Sequence, residues 1–302
     1  MERLLVITNS GAGTADEENL EAALEVLRDA YEVEVVATSS LDELDDALGR
    51  AGGRTVVVAG GDGSLHAVVQ TLHDRGELSG ATLGLLPLGT GNDFARGVEL
   101  PLEADAAARA LVAATARPVD LVVADDGTVV VNNVHLGAGA QAARYGAELK
   151  EKLGEAGVGK VNLGKLGYPL GAIKAAATEP VRVRIEVDGQ TVSDEEVLMV
   201  ALGNGASVGG GAELTPDADV SDGRIDVMVS TATGPLARVA YVAALARGAH
   251  PERDDVSYLH GQSVRITGEK FWTSADGELS GPHTERSWRL ERAAFRMLLP
   301  EG

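Results

Sequence analysis

Two rhythms of apolar and polar residues divide the chain. In the first, short apolar runs at residues 3–8, 33–37, 55–59 and 82–86 read as strands, and helical patterns lie between them. Residues 16–30 set Leu20, Ala23, Leu24 and Leu27 at helical spacing behind an acidic first turn. Residues 41–51 read as a helix stopped by Gly52-Gly53, and residues 65–73 as another. Strand and helix in alternation predict a parallel sheet with helices on both faces. Ligands of such sheets bind beyond the carboxyl ends of the strands. The Gly-rich turns at residues 9–14, 60–64 and 87–91 each follow a strand, so all three fall on that edge.

The second rhythm is strand-dominated. Segments 119–124, 129–134, 181–187, 191–202, 225–230, 263–267 and 287–291 carry strand patterns. Asp125-Asp126-Gly127 and Asp188-Gly189 read as hairpin turns. Helical patterns interrupt at residues 140–153 and 163–178, and a third, Ala-rich one spans 235–247. The expected division is an α/β domain over residues 1–118 and a mainly antiparallel β domain from 119 onward. No internal repeat is visible.

Composition narrows this picture. A chain of 302 residues accommodates two domains. Hydrophobic residues are 44% and aromatic ones only 3%, so the core must come from Val, Leu, Ile and Ala. With no Cys, disulfides and thiolate metal sites are excluded. The net charge of −20 argues against nucleic acid as a partner and against electrostatic attachment to anionic lipid. Bases are mostly Arg, which fits either a GC-rich genome or a high-salt cytoplasm. No run reaches membrane-spanning length, and residues 1–7 lack a signal-peptide pattern, so a cytoplasmic protein is expected.

The chemistry begins at Gly60-Gly61-Asp62-Gly63-Ser64. Glycines admit a close ligand, and backbone N–H groups ahead of a helix make an anion site, with Ser64 expected to cap the helix and donate to phosphate. Asp62 beside a phosphate is repulsive unless it holds Mg²⁺. The competing reading is a tight turn in which Asp62 accepts local hydrogen bonds. Neither the Walker A pattern nor G-x-G-x-x-G is present. A second loop, Pro87-Leu88-Gly89-Thr90-Gly91-Asn92-Asp93-Phe94-Ala95-Arg96, joins a rigid entry, glycines and a hydroxyl to an Asn-Asp helix start. His66, His73 and His135 show no metal-ligand spacing and read as structural, and Trp272 and Trp288 as packing residues.

Together these loops resemble the catalytic domain of diacylglycerol and sphingosine kinases, especially the soluble prokaryotic members. Three further stretches are similar to that family: Asn9-Ser10-Gly11-Ala12-Gly13, residues 213–227 with Asp222-Gly223-Arg224, and Asp276-Gly277-Glu278. The resemblance covers essentially the whole chain in order. It implies a phosphofructokinase-like α/β domain that binds ATP, a C-terminal β-sandwich, a cleft between them, and a final segment (294–302) that rejoins the first domain. Departures are Ser10 and Thr14 in the first loop, Ser64 where Thr is usual, and Gln141 where Asp is common.

The resemblance also implies site roles. ATP would meet Asn9, Gly11, Gly13, Thr38, Gly60, Gly61, Asp62, Gly63, Ser64, Gly89, Thr90, Asn92 and Asp93. Asp62, Asp93 and Glu278 would hold catalytic Mg²⁺. Asp276 would be the general base for in-line γ-phosphoryl transfer to a lipid hydroxyl. Asp222, with the carbonyls of Asp219 and Arg224, would bind a structural Mg²⁺; the plain alternative is an Asp-Gly turn. Expected partners are ATP, a lipid acceptor, a membrane touched transiently and a second copy in a homodimer. The alternatives are an NAD or sugar kinase of the same superfamily and a non-catalytic lipid-binding protein.

Overall fold

The computed structural model describes residues 2–9, 14–138, 140 and 178–300. The chain first builds β1 (Arg3–Asn9), α1 (Thr14–Ala30), β2 (Glu32–Thr38), α2 (Leu41–Gly49), β3 (Thr55–Gly60), α3 (Asp62–Asp74) and β4 (Thr82–Pro87). Strands β2, β1, β3 and β4 lie side by side, all parallel. Residues 4–7, 56–59 and 83–87 are buried without a break, as internal parallel strands covered on both faces must be. β2 is the edge strand, and Glu32 and Glu34 on it deter pairing with another chain.

Helices α4 (Asp93–Gly97) and α5 (Ala104–Ala113) follow. The apolar pattern did not single out α5, because its buried stripe is Ala104, Ala107, Ala108 and Leu111 and alanine contrasts weakly with its neighbours. Then come β5 (Thr115–Ala124), β6 (Val129–Val130) and β7 (Asn133–Gly137). The expected helices at 140–153 and 163–178, apart from the end residues 140 and 178, lie outside the described residues, as does Gln141.

The chain resumes as β8 (Val181–Val187), β9 (Gln190–Val197), β10 (Met199–Gly203), β11 (Ser207–Val208), β12 (Ala212–Glu213) and β13 (Ile225–Ser230). Helix α6 (Pro235–Leu245) precedes β14 (Val256–Gly261), β15 (Ser263–Ala275) and β16 (Glu278–Leu299). The hairpin turns read at 125–127 and 188–189 join β5 to β6 and β8 to β9. β8 alternates buried and exposed positions, as a strand with one covered face does.

β16 ties the halves together. Its first part pairs with β15, and its end lies antiparallel to β5 and parallel to β4. Through it the parallel layer of the first half and the antiparallel β layer of the second share one hydrogen-bonded sheet of 14 strands among the described residues. Trp288 is buried in the second core, while Phe295, Met297 and Leu299 fill the first. The shift of register falls between Glu291 and Phe295, where Ala293 adopts φ +49° and its N–H donates to Asp120 at 2.7 Å.

Candidate active site

The carboxyl ends of β3 and β4 bring the two loops together. Gly60 ends β3 and Gly61 alone lies between it and α3, which starts at Asp62; this corrects the expectation of a loop running to Ser64. Gly61 caps α3 with an extended backbone and no side-chain cap, so Ser64 is not the cap. A Cβ on Gly61 would lie 2.9 Å from the Gly89 Cα, and one on Gly89 2.5 Å from the Gly61 Cα. Two backbones meet here with no room for a side chain. The first N–H groups of α3 lack intrahelical acceptors and point at the same edge.

Asn92, at φ +52°, fastens the second loop. Its Oδ1 accepts the Gly89 N–H at 3.0 Å and its Nδ2 donates to the Gly89 carbonyl at 2.8 Å. Asp62 accepts the N–H groups of Asp93 and Phe94, both at 3.0 Å, and so caps α4 rather than its own helix. Asp93 is buried and accepts the N–H groups of Gly210 and Gly211, at 2.7 Å in the latter case. Thus Asp62 joins the two loops, and Asp93 joins the second loop to the turn between β11 and β12. The triglycine run at 209–211 carried no motif in the sequence; its placement arises from this long-range contact.

Beside the loops lies a cleft of ≈ 270 Å³ between the ends of β1 and β2 and the starts of α2 and α3. Asn9, Thr38, Gly63 and Ser64 border it with Leu41, Leu44 and Val68. Gly11 and Gly13 fall outside the described residues. Thr90 is exposed on the second loop and does not border this cleft.

Opposite the loops, β15 turns into β16 through Asp276-Gly277. Both residues have positive φ, +45° and +92°, as a two-residue hairpin turn requires, and Ala275 pairs with Glu278 across it. The Asp276 side chain is only 2% exposed. Its Oδ1 accepts the N–H groups of Asn132 and Asn133 at 2.9 and 3.1 Å. Its Oδ2 accepts the Val131 N–H at 2.7 Å and meets His66 Nδ1 at 3.0 Å. The carboxylate faces inward and all four of its ordinary acceptor positions are taken. Glu278, two residues on, is exposed.

His66 was read as structural, but it is the side chain that links α3 to this turn. Burial pushes its pKa down, and the hydrogen bond and charge of Asp276, with the charge of Glu278, more than offset that; the net shift is upward. The available signal was helical spacing: His66 lies four residues after Asp62, on the same face of α3. His135 does behave as a core residue, with burial lowering its pKa to about 4. Trp288 is a packing residue in the second core.

The donor sets for metal differ. Asp62 and Asp93 both border Gly91: a Cβ there would lie 3.1 Å from Asp62 Oδ2 and 3.4 Å from Asp93 Oδ2. Mg²⁺ bound with nucleotide needs only one or two carboxylates beside the phosphates, and this pair fits that demand. At the Asp222 turn, expected to hold a structural cation, the carboxylate is engaged by Arg224. Asp222 accepts the Arg224 N–H at 3.0 Å, and its other oxygen pairs with the Arg224 guanidinium at 2.8 Å. The Arg224 side chain in that pair is itself half exposed. The Asp219 carbonyl accepts the Asp222 N–H, which makes this an Asp-Gly turn closed on itself.

Glycine-tight backbone loops on an α/β layer thus face an acidic hairpin from a β layer. Residues 3–124 match the diacylglycerol kinase catalytic domain, and residues 151–298 match the YegS C-terminal NAD kinase beta sandwich-like domain. A diacylglycerol kinase of Bacillus subtilis (strain 168) is 32% identical over 93% of this chain and 91% of its own length. A protein named "Probable lipid kinase YegS-like" from Enterobacter sp. (strain 638) is 30% identical over 99% of this chain and 97% of its own. A solved diacylglycerol kinase structure from Bacillus anthracis str. Sterne, 25% identical, superposes with a TM-score of 0.75 over 99% of this chain and 97% of that one. The chain belongs to the YegS and diacylglycerol kinase family of lipid kinases.

Proposed function

We propose that this chain is an ATP- and Mg²⁺-dependent kinase that moves the γ-phosphoryl group of ATP onto the hydroxyl of a diacylglycerol-like lipid. The observation that carries the reading is the backbone contact of Gly61 with Gly89, held by Asn92 and Asp62 at the head of α3. It offers N–H groups rather than side chains to an anion, which is how phosphate chains are gripped without a Walker lysine. The base and ribose of ATP would lie in the cleft bordered by Asn9, Thr38 and Leu41. Mg²⁺ would be held by Asp62 and Asp93, with Glu278 reaching in from the other side, and would neutralise charge on the transferring phosphoryl group. The lipid hydroxyl would approach from the Asp276 turn, and its proton would leave toward that turn.

The division of labour we infer is ATP on residues 1–118, joined by the end of β16, and acceptor on residues 119–293. A lipid kinase without a membrane-spanning helix among its described residues has to reach its acceptor from the bilayer surface. With a net charge of −20, that contact would be apolar and transient rather than polybasic. An NAD or sugar kinase is the weaker reading, because the catalytic-domain match over residues 3–124 is to diacylglycerol kinases. The test is transfer from labelled ATP to neutral lipids dispersed in detergent, run beside NAD. Label in a phospholipid product supports the proposal; label only in NADP overturns it.

The acidic composition leads to a separate expectation. With 46 acidic against 26 basic residues, the folded chain repels itself in dilute buffer, and salt screens that repulsion. Melting temperature and activity are expected to rise from low ionic strength to molar KCl. A melting temperature that is flat or falls with KCl would remove the high-salt reading and leave the kinase reading untouched.

A further inference from the structure

We propose that His66 is the group that takes the proton from the acceptor hydroxyl, and that Asp276 serves it as the orienting carboxylate. This rests on the kinase reading above. The starting point is the geometry of Asp276. Three backbone N–H groups and one imidazole nitrogen fill its two oxygens, and its side chain is 2% exposed. A carboxylate so engaged has no open lone pair with which to receive a proton from a substrate. To act directly, it would have to give up at least one main-chain partner in the interior: the Val131 N–H at Oδ2, or those of Asn132 and Asn133 at Oδ1.

His66 has what Asp276 lacks. An ionised carboxylate only accepts, so the ring nitrogen 3.0 Å from it, Nδ1, carries the hydrogen. In the neutral ring the lone pair then lies on Nε2. Among the described residues the hydrogen bond of the His66 ring is the one through Nδ1 to Asp276, and the side chain, 17% exposed, is not sealed in the core. The ring stands on the second turn of α3, directly behind the Gly61 cap that begins the helix. It therefore sits between the phosphate loops and the Asp276 hairpin, the two parts that donor and acceptor must each approach. The arrangement is a base held in one tautomer and one orientation by a buried acid, as in other acid–histidine pairs.

The step balances with ATP as the only co-reactant. The lipid oxygen forms a bond to the γ-phosphorus as the bond from that phosphorus to the β,γ-bridging oxygen breaks. ADP leaves with the electron pair. The hydroxyl proton passes to His66 Nε2, and the imidazolium so formed is stabilised by Asp276 until the proton goes to solvent.

Substitution by asparagine separates this role from a merely structural one. The side-chain amide of His66→Asn can still donate to Asp276 from the position of Nδ1, but it carries no basic nitrogen. Turnover at saturating lipid is expected to fall about 10²–10⁴-fold, the usual worth of a positioned base. KM for ATP and the affinity for ADP are expected to stay unchanged. His66→Gln provides the same reading should His66→Asn prove unstable, and added imidazole is expected to restore part of the turnover of His66→Ala. Wild-type turnover in folded His66→Asn would overturn the proposal and leave the kinase reading standing. Loss of turnover together with nucleotide affinity would also overturn it, because His66 would then be shaping the phosphate loops. A wild-type chain that transfers phosphate to no lipid hydroxyl would remove both readings.

Discussion

Asp276→Asn is expected to lower turnover by about 10²–10⁴-fold while leaving nucleotide affinity close to normal. The substitution is nearly isosteric, and its effect follows from what surrounds the group. Each Asp276 oxygen accepts two hydrogen bonds, and three of the four donors are main-chain N–H groups that cannot change role. An amide nitrogen placed at Oδ1 would face the N–H groups of Asn132 and Asn133. Placed at Oδ2 it would face the Val131 N–H and His66 instead. The second choice leaves fewer main-chain donors unpaired, and it reverses the hydrogen bond to the imidazole. The amide would donate to Nδ1, and the ring hydrogen would move to Nε2, where it blocks proton acceptance. In a comparable acid–histidine pair elsewhere the wrong tautomer costs roughly 10⁴-fold. One unpaired buried N–H adds a stability loss of about 1–3 kcal/mol, visible in the melting temperature. The loop contact at Gly61 and Gly89 is not part of this network, so ADP titration should change little. A folded Asp276→Asn enzyme with near-normal turnover would remove Asp276 from the proton path and leave Glu278 as the carboxylate to test.

The parts of the site that were legible in the sequence are local ones. The strand-then-glycine boundaries at Gly60 and Pro87 could be read because buried parallel strands are apolar without interruption. The Asp276-Gly277 turn could be read because two successive residues at positive φ favour that pair. The illegible parts depend on distant pairing. Nothing near Asp276 announces that its carboxylate turns inward onto residues 131–133, more than 140 positions away in sequence. Nor does Asp62 announce that it caps a helix starting 31 residues later. Its sequence context suggested a metal ligand or a local turn, and the structure adds a third use. β16 was glimpsed only as residues 287–291, because Gly281, Pro282 and the register shift at Ala293 interrupt the apolar alternation of a 22-residue strand. His66 was passed over because a lone histidine on a helix usually packs. The acid that gives it a role lies 210 residues further along.

Gly61→Val is expected to abolish measurable ADP and ATP binding in a chain that still folds. The reason is space and not backbone freedom. Gly61 sits at φ −97° and ψ −167°, an extended conformation open to any residue. Its missing Cβ would lie 2.9 Å from the Gly89 Cα, and what it would strike is main chain that cannot rotate aside. Valine adds two methyl groups beyond that point. The loops must then part, and parting them strains the Asn92 bonds to Gly89 and the Asp62 bonds to Asp93 and Phe94. The main-chain N–H groups that converge on the phosphates would lose their common focus, and without a Walker lysine no long side chain compensates. The fold should survive, because the clash is at the rim: the cores on either side are built from β1, β3 and β4 and from β8, β10 and β15. Calorimetric titration with Mg·ADP, beside a melting curve, reads both quantities. Gly61→Ala, which brings the Cβ alone, is expected to weaken binding less than Gly61→Val, since a shift of a few tenths of an ångström relieves much of the contact. Undiminished ADP affinity in folded Gly61→Val would mean that the phosphates are gripped somewhere other than the meeting point of the two loops.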